Sequence, residues 1–115
     1  MYVDEDLLLI LKSAGIGDGA PDLGSKLINS FLKMLLESGS IPSKVICLNT
    51  GVFLTTKGSD VEDEMRQLSE AGAVVLSCGT CLDYFDRKEM LIVGEATNMR
   101  DTVAAMLSAK KVITL

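Results

Sequence analysis

Five short apolar runs punctuate the chain: Leu7-Leu8-Leu9-Ile10-Leu11, Val45-Ile46-Cys47-Leu48, Ala73-Val74-Val75-Leu76, Leu91-Ile92-Val93 and Val112-Ile113-Thr114-Leu115. Each is nearly continuous rather than alternating. A strand with one solvated face alternates and a strand covered on both faces does not, so these runs predict a parallel sheet between helices. The segments between them carry a helical period. After Pro21-Asp22, Leu23, Leu27, Phe31 and Leu35 recur every fourth residue as an inner face; Pro21 suits the first helical position and Gly39 the stop. Ser59-Asp60-Val61-Glu62 reads as a capping box, followed by Val61, Met65 and Leu68 as inner face and Gly72 as terminator. A last helix begins near Asn98, with Asp101 three residues on and Met99, Val103, Met106 and Leu107 turned inward. The stretch from Asp83 to Met90 has room for one short helical turn. Strands alternating with helices make an α/β protein.

Composition narrows the class. The 115 residues predict a single domain, 1–115. A chain of that length buries roughly two thirds of its unfolded surface, so disulfides are not needed for folding. The net charge is −5, from 11 basic and 16 acidic residues, and the basic ones form no stripe. A nucleic-acid backbone is therefore not the expected partner. No uncharged apolar run approaches the ~18 residues of a membrane span, so no membrane partner is expected. Hydrophobic residues still make up 48% of the chain, more than a small soluble core requires. The surplus points to strands covered on both faces and to an oligomer interface. The three cysteines are an odd number, and Met1-Tyr2-Val3-Asp4-Glu5-Asp6 is acidic rather than a secretory leader. A reducing, cytoplasmic setting is expected.

The chemistry concentrates at Cys78-Gly79-Thr80-Cys81, where the third apolar run gives way to a polar segment. Open α/β sheets place their sites at such strand ends. The chain has no histidine, so a thiolate here must be stabilised by backbone N–H groups, a helix N-terminus or a cation such as Arg87 or Lys88. Cys78, at the strand end, is expected to accept sulfur first, with Cys81 close enough to resolve it as a disulfide. Thioredoxin-type redox, half of a zinc site completed by Cys47 and a carboxylate, and two merely well-packed thiols compete with that reading. No metal and no cofactor are expected. Gly15-Ile16-Gly17-Asp18-Gly19-Ala20 fits a loose dinucleotide fingerprint, but Asp18 and Asp22 place negative charge where a pyrophosphate would sit, and Pro21 removes an N–H. A tight turn is the expected use, without NAD or ATP. Asn49-Thr50-Gly51-Val52 ends the second strand and suits either loop bracing or a small ligand. Met90, Met99 and Met106 read as packing residues.

The chain as a whole resembles the DsrE-like family, and within it the DsrE-like domain of YedF-type proteins linked to selenium metabolism. The resemblance rests on Gly19-Ala20-Pro21-Asp22-Leu23-Gly24-Ser25-Lys26-Leu27 and on Asn49-Thr50-Gly51-Val52 with Gly58-Ser59. It continues in Ser77-Cys78-Gly79-Thr80-Cys81-Leu82-Asp83-Tyr84 and Val93-Gly94-Glu95-Ala96-Thr97-Asn98-Met99. It implies a three-layer α/β/α domain with a five-stranded parallel sheet, assembled as trimers or hexamers. It implies persulfide relay through a cysteine at the end of the third strand, the position of Cys78. Cys81 matches a second cysteine of the YedF-like branch. Asn49, Thr50, Gly51, Gly79, Thr80 and Asn98 are the expected pocket residues. YedF-type proteins carry an N-terminal TusA-like domain that is not in this sequence, so a separate TusA-like sulfur carrier is the expected partner. A non-catalytic module binding a small ligand or a protein is the alternative of a different class.

Overall fold

The longest strand, β1 (Tyr2–Leu11), lies inside the sheet, with a partner on each side. The computed structural model describes all 115 residues. After β1 come α1 (Pro21–Glu37), β2 (Ser40–Cys47), a 3₁₀ segment (Asn49–Leu54), α2 (Glu62–Glu70) and β3 (Val74–Cys78). Then follow α3 (Gly79–Tyr84), a 3₁₀ turn (Lys88–Met90), β4 (Glu95–Thr97), α4 (Met99–Ser108) and β5 (Lys111–Thr114). All five strands are parallel, in the order β4-β3-β2-β1-β5. No helix is long and apolar enough to cross a membrane.

The continuous apolar runs have the expected cause. Leu7 to Leu11 are all buried because both faces of β1 are covered. Leu9 and Leu11 join Ile28 and Leu32 of α1 and Met65 and Leu68 of α2 in the larger core. Leu8 and Ile10 point the other way, onto Ile46 and Ala105 of α4, in a much smaller one. The result is three layers, thick on the α1/α2 side and thin on the α4 side.

Four local expectations need correction. Leu91-Ile92-Val93 is not a strand. Leu91 makes one isolated antiparallel bridge to Thr56, and the Ile92 and Val93 N–H groups both donate to the Thr55 carbonyl. Gly94 then turns with φ +77, packed so tightly on the Val75 carbonyl that a side chain there would overlap it, and the strand proper is Glu95–Thr97. Burial made the run apolar without pairing it. On α1 the inner face is Gly24, Ile28 and Leu32, while Leu23 and Leu27 are exposed. Gly24 sets this phase, because its backbone lies against Gly15. On α4 the inner face is Thr102 and Ala105, and Met99, Val103, Met106 and Leu107 are exposed. Small residues let the helix lie close on the sheet. The larger side chains remain outside. The capping box is also absent: the Ser59 hydroxyl accepts from the Val61 N–H at 3.2 Å, one residue before α2 begins. Val61, Met65 and Leu68 are nevertheless buried as expected, and Gly72 ends the helix with φ +116.

Candidate functional site

Cys78 closes β3 opposite Thr97 of β4 and caps α3, its Sγ accepting the Cys81 N–H at 3.4 Å. Gly79 is required next: a Cβ would press on the Thr97 carbonyl oxygen at 3.1 Å. Cys81 lies in the turn of α3 just beyond, and its Sγ accepts the Asn49 N–H at 3.1 Å. Asn49 holds φ +51, a left-handed conformation that asparagine tolerates better than most residues.

That conformation is held from three sides. Gly51 is packed against the Leu11 carbonyl with no room for a side chain. Thr50 Oγ1 accepts the Ala14 N–H at 3.1 Å. Thr55 and Ser77, both fully buried, share a 2.6 Å hydrogen bond; Thr55 donates to the Val52 carbonyl at 3.2 Å, so Ser77 is the donor between them. The segment that presents Asn49 is thus tied to β1 and to β3, immediately beneath the cysteine pair.

The two thiols differ in access. Cys78 is only 5% exposed, whereas Cys81 is partly exposed. Cys81 lines a depression of about 440 Å³ with Asn49, Thr80, Tyr84 and Phe85. Tyr84 is 82% exposed and stands edge-on to Phe85 at 5.0 Å. Phe85 in turn packs on Phe53 at 4.9 Å, and the Arg87 guanidinium covers the Phe53 ring at 4.4 Å. Only five aromatic residues exist in the chain, and three gather here. Phe53 and Phe85 carry no motif signal. Aromatic scarcity, with two of the five directly after the CxxC, is the signal that could have found this wall.

Neither cation serves the thiols. Arg87 donates to Thr56 Oγ1 at 3.1 Å and to the Lys57 carbonyl at 3.0 Å, and Lys88 pairs with Asp83 at 3.4 Å. The main chain is the nearby stabiliser. Burial raises the Cys81 pKa above the ordinary thiol value, and its hydrogen bond with Cys78 and the negative charge of that sulfur raise it further. The Asn49 N–H opposes them. Cys47 is sealed in the larger core, and burial pushes its thiol up to about 12. No three His, Cys, Asp or Glu side chains come together as metal ligands.

Of the residues expected in the pocket, Cys78, Gly79, Thr80, Cys81 and Asn49 come together. Thr50 and Gly51 brace the floor rather than line the opening. Asn98 caps α4: its side chain accepts the Asp101 N–H at 2.8 Å and donates to the Asp101 carboxylate at 3.1 Å. In the glycine loop, Gly17 takes φ +90, and the N–H groups of Ala14, Gly15 and Ile16 are bonded to Thr50 Oγ1, Ser13 Oγ and the Gly24 carbonyl.

No protein-family model matches the chain, and no curated protein sequence matches it significantly. Solved structures do match. The ychN protein of E. coli aligns over 97% of this chain and 100% of its own, with a TM-score of 0.70 and 18% identity. A protein of unknown function from Methanobacterium thermoautotrophicum covers 100% of both chains at TM-score 0.70 and 12% identity. Another from Bacteroides thetaiotaomicron covers 96% of this chain and 95% of its own at TM-score 0.64 and 15% identity. At these identities the likeness is one of fold. The chain shares with them a three-layer α/β/α fold built on a five-stranded parallel sheet.

Proposed function

We propose that this protein relays sulfur, carrying a sulfane sulfur on the Cys78/Cys81 pair. One observation supports the reading most: two free thiols lie in hydrogen-bond contact with each other, each also accepting a main-chain N–H, at the edge of an apolar depression. Thiolates attack sulfane sulfur, and fixed N–H dipoles lower the cost of the anion where no histidine or cation is at hand. The donor is a protein or low-molecular-weight persulfide. A separate TusA-like carrier is the partner suggested by the resemblance, and a selenium equivalent would use the same thiols. Such chemistry requires reduced cysteines, which suits a cytoplasmic location.

The apolar lining favours one second reading, a module that binds a small ligand or peptide without chemistry. Incubation with a cysteine desulfurase and cysteine, followed by intact mass spectrometry, separates the two. Relay requires addition of one sulfur atom per chain at early times, or its release as sulfide with an internal disulfide left behind, either reversed by dithiothreitol; a binding module stays at its native mass.

The same proposal includes a homo-oligomer, a trimer or hexamer. Met99, Val103 and Leu107 of α4, with Val74 of β3 and Val112 of β5, leave apolar surface exposed on the thin side of the sheet. Parallel sheets are normally covered on both faces, and a second copy supplies matching apolar surface. Light scattering should give a multiple of the chain mass at micromolar concentration, and Leu107→Glu should lower it. A wild-type monomer rejects the assembly.

A further inference from the structure

By its place at the end of β3, Cys78 is the expected sulfur acceptor. The geometry points the other way: we infer that Cys81 is the entry thiol, which receives the sulfur, and that Cys78 is the resolving thiol beneath it. This rests on the sulfur-relay reading above.

Three observations carry the assignment. The first is reach. An incoming persulfide must be attacked from outside, and thiol exchange depends on access as well as on thiolate character. Cys78 is 5% exposed, with α3 folded back over its sulfur, whereas Cys81 faces the depression. The second is room for the product. A persulfide adds a sulfur atom beyond Sγ. On Cys81 that atom enters the depression beside Phe85 and Tyr84, and sulfur packs favourably against aromatic rings. Cys78, 5% exposed, does not line that depression. The third is the Asn49 N–H, held against Cys81 Sγ by a left-handed residue that the surrounding segment constrains. Uncommon backbone conformations kept at a cleft commonly serve a site.

Atoms and electrons balance in two steps. Cys81 gives up its proton to solvent before it attacks. The Cys81 thiolate attacks the outer sulfur of a donor R–S–SH. The donor's S–S bond breaks, R–S⁻ leaves, and Cys81–S–SH remains. Cys78, deprotonated in turn, attacks Cys81 Sγ. The Cys78–Cys81 disulfide forms, and the outer sulfur leaves as HS⁻ or passes as sulfide to an acceptor. The two electrons carried away by sulfide are returned to the protein by a dithiol reductant.

The test uses the full chain with a cysteine desulfurase and cysteine, read by intact mass. Cys78→Ala should gain one sulfur atom and retain it. Cys81→Ser should gain none. Wild type should gain it transiently, release sulfide and finish as the internal disulfide. Loading of Cys81→Ser, with or without loading of Cys78→Ala, overturns the order of the thiols and leaves sulfur relay standing. Wild type that neither gains sulfur at early times nor releases sulfide removes the relay reading itself. Because Cys78→Ala touches a buried position, wild type gives an independent measurement. With limiting iodoacetamide at pH 8 and peptide mapping, Cys81 should be labelled about tenfold ahead of Cys78. Equal labelling, or Cys78 first, also overturns the assignment. The raised Cys81 pKa supplies a further readout. Cys78→Ala removes the hydrogen bond and the charge that raise it, so Cys81 should alkylate faster in that variant at pH 8. A slower rate in a folded variant counts against Cys78 holding the Cys81 pKa up.

Discussion

Cys47 and Cys78 close neighbouring strands of one sheet, Cys47 in register with Ser77, yet they sit in opposite chemical worlds. Cys47 lies in the larger core with no exposure, and burial pushes its thiol up to about 12. One strand over, the chain turns directly into α3, and a second sulfur is brought into contact with the first beside an opening. Position at the carboxyl end of a parallel strand therefore does not make a cysteine reactive. The connection leaving the strand decides it: a glycine that allows the turn, a helix that returns a second thiol, and a neighbouring segment that aims an N–H at it.

The largest consequence is selective reactivity. A thiol with a pKa near 12 is ionised at about one part in ten thousand at pH 8, and steric exclusion adds to this. Iodoacetamide should modify Cys81 in the native protein about a thousandfold faster than Cys47. In guanidinium all three cysteines should react at similar rates. Modification of native Cys47 within tenfold of Cys81 would break the comparison, because the core would then be opening on the timescale of the reaction.

Next in size is alkaline stability. The Cys47 thiol titrates from 9.0 in the reference state and about 12 in the fold. Between those values the folded chain holds a proton that the unfolded chain has lost, so stability is intact below pH 9 and falls as pH rises toward 12. By pH 11 the loss should be about 2–3 kcal/mol. Cys81, also raised, acts in the same direction. Urea midpoints measured from pH 8 to pH 11 in reducing buffer should decline in wild type and flatten in Cys47→Ala. An equal decline in that variant would assign the slope to other groups.

The fold was legible because four of the five uninterrupted apolar runs lie in strands of the parallel sheet, and the Pro21 start and Gly39 and Gly72 stops act through local backbone chemistry. What escaped depended on distant contacts. The Leu91-Ile92-Val93 run is apolar because it crosses buried ground, a reason indistinguishable from strand pairing in one dimension. The phase of α1 is decided by Gly24 meeting Gly15, and that of α4 by small residues, which a search for large apolar ones passes over. At the site, the spacing of the cysteines located the pair. Which thiol is open, the aromatic wall, and the use of Asn49 through its backbone rather than its side chain are all products of tertiary packing.

The smallest predicted effect therefore tests the subtlest point. If Asn49 acts through its N–H, its amide side chain is dispensable, provided the left-handed conformation survives. Glycine adopts φ near +51 without strain, so Asn49→Gly should leave Cys81 alkylation at pH 8 within about twofold of wild type. Valine is β-branched and resists that conformation. Asn49→Val should lower stability by about 1–2 kcal/mol, shift the N–H away from the sulfur and slow Cys81 alkylation. The same order, wild type and glycine together with valine behind, should appear in persulfide loading. A loss of loading in Asn49→Gly with unchanged thiol reactivity would mean the side chain contacts the donor. Asn49 would then be a ligand-binding residue in the sense its place at the strand end first implied, and the contrast with Cys47 would rest on a side chain as well as on the turn.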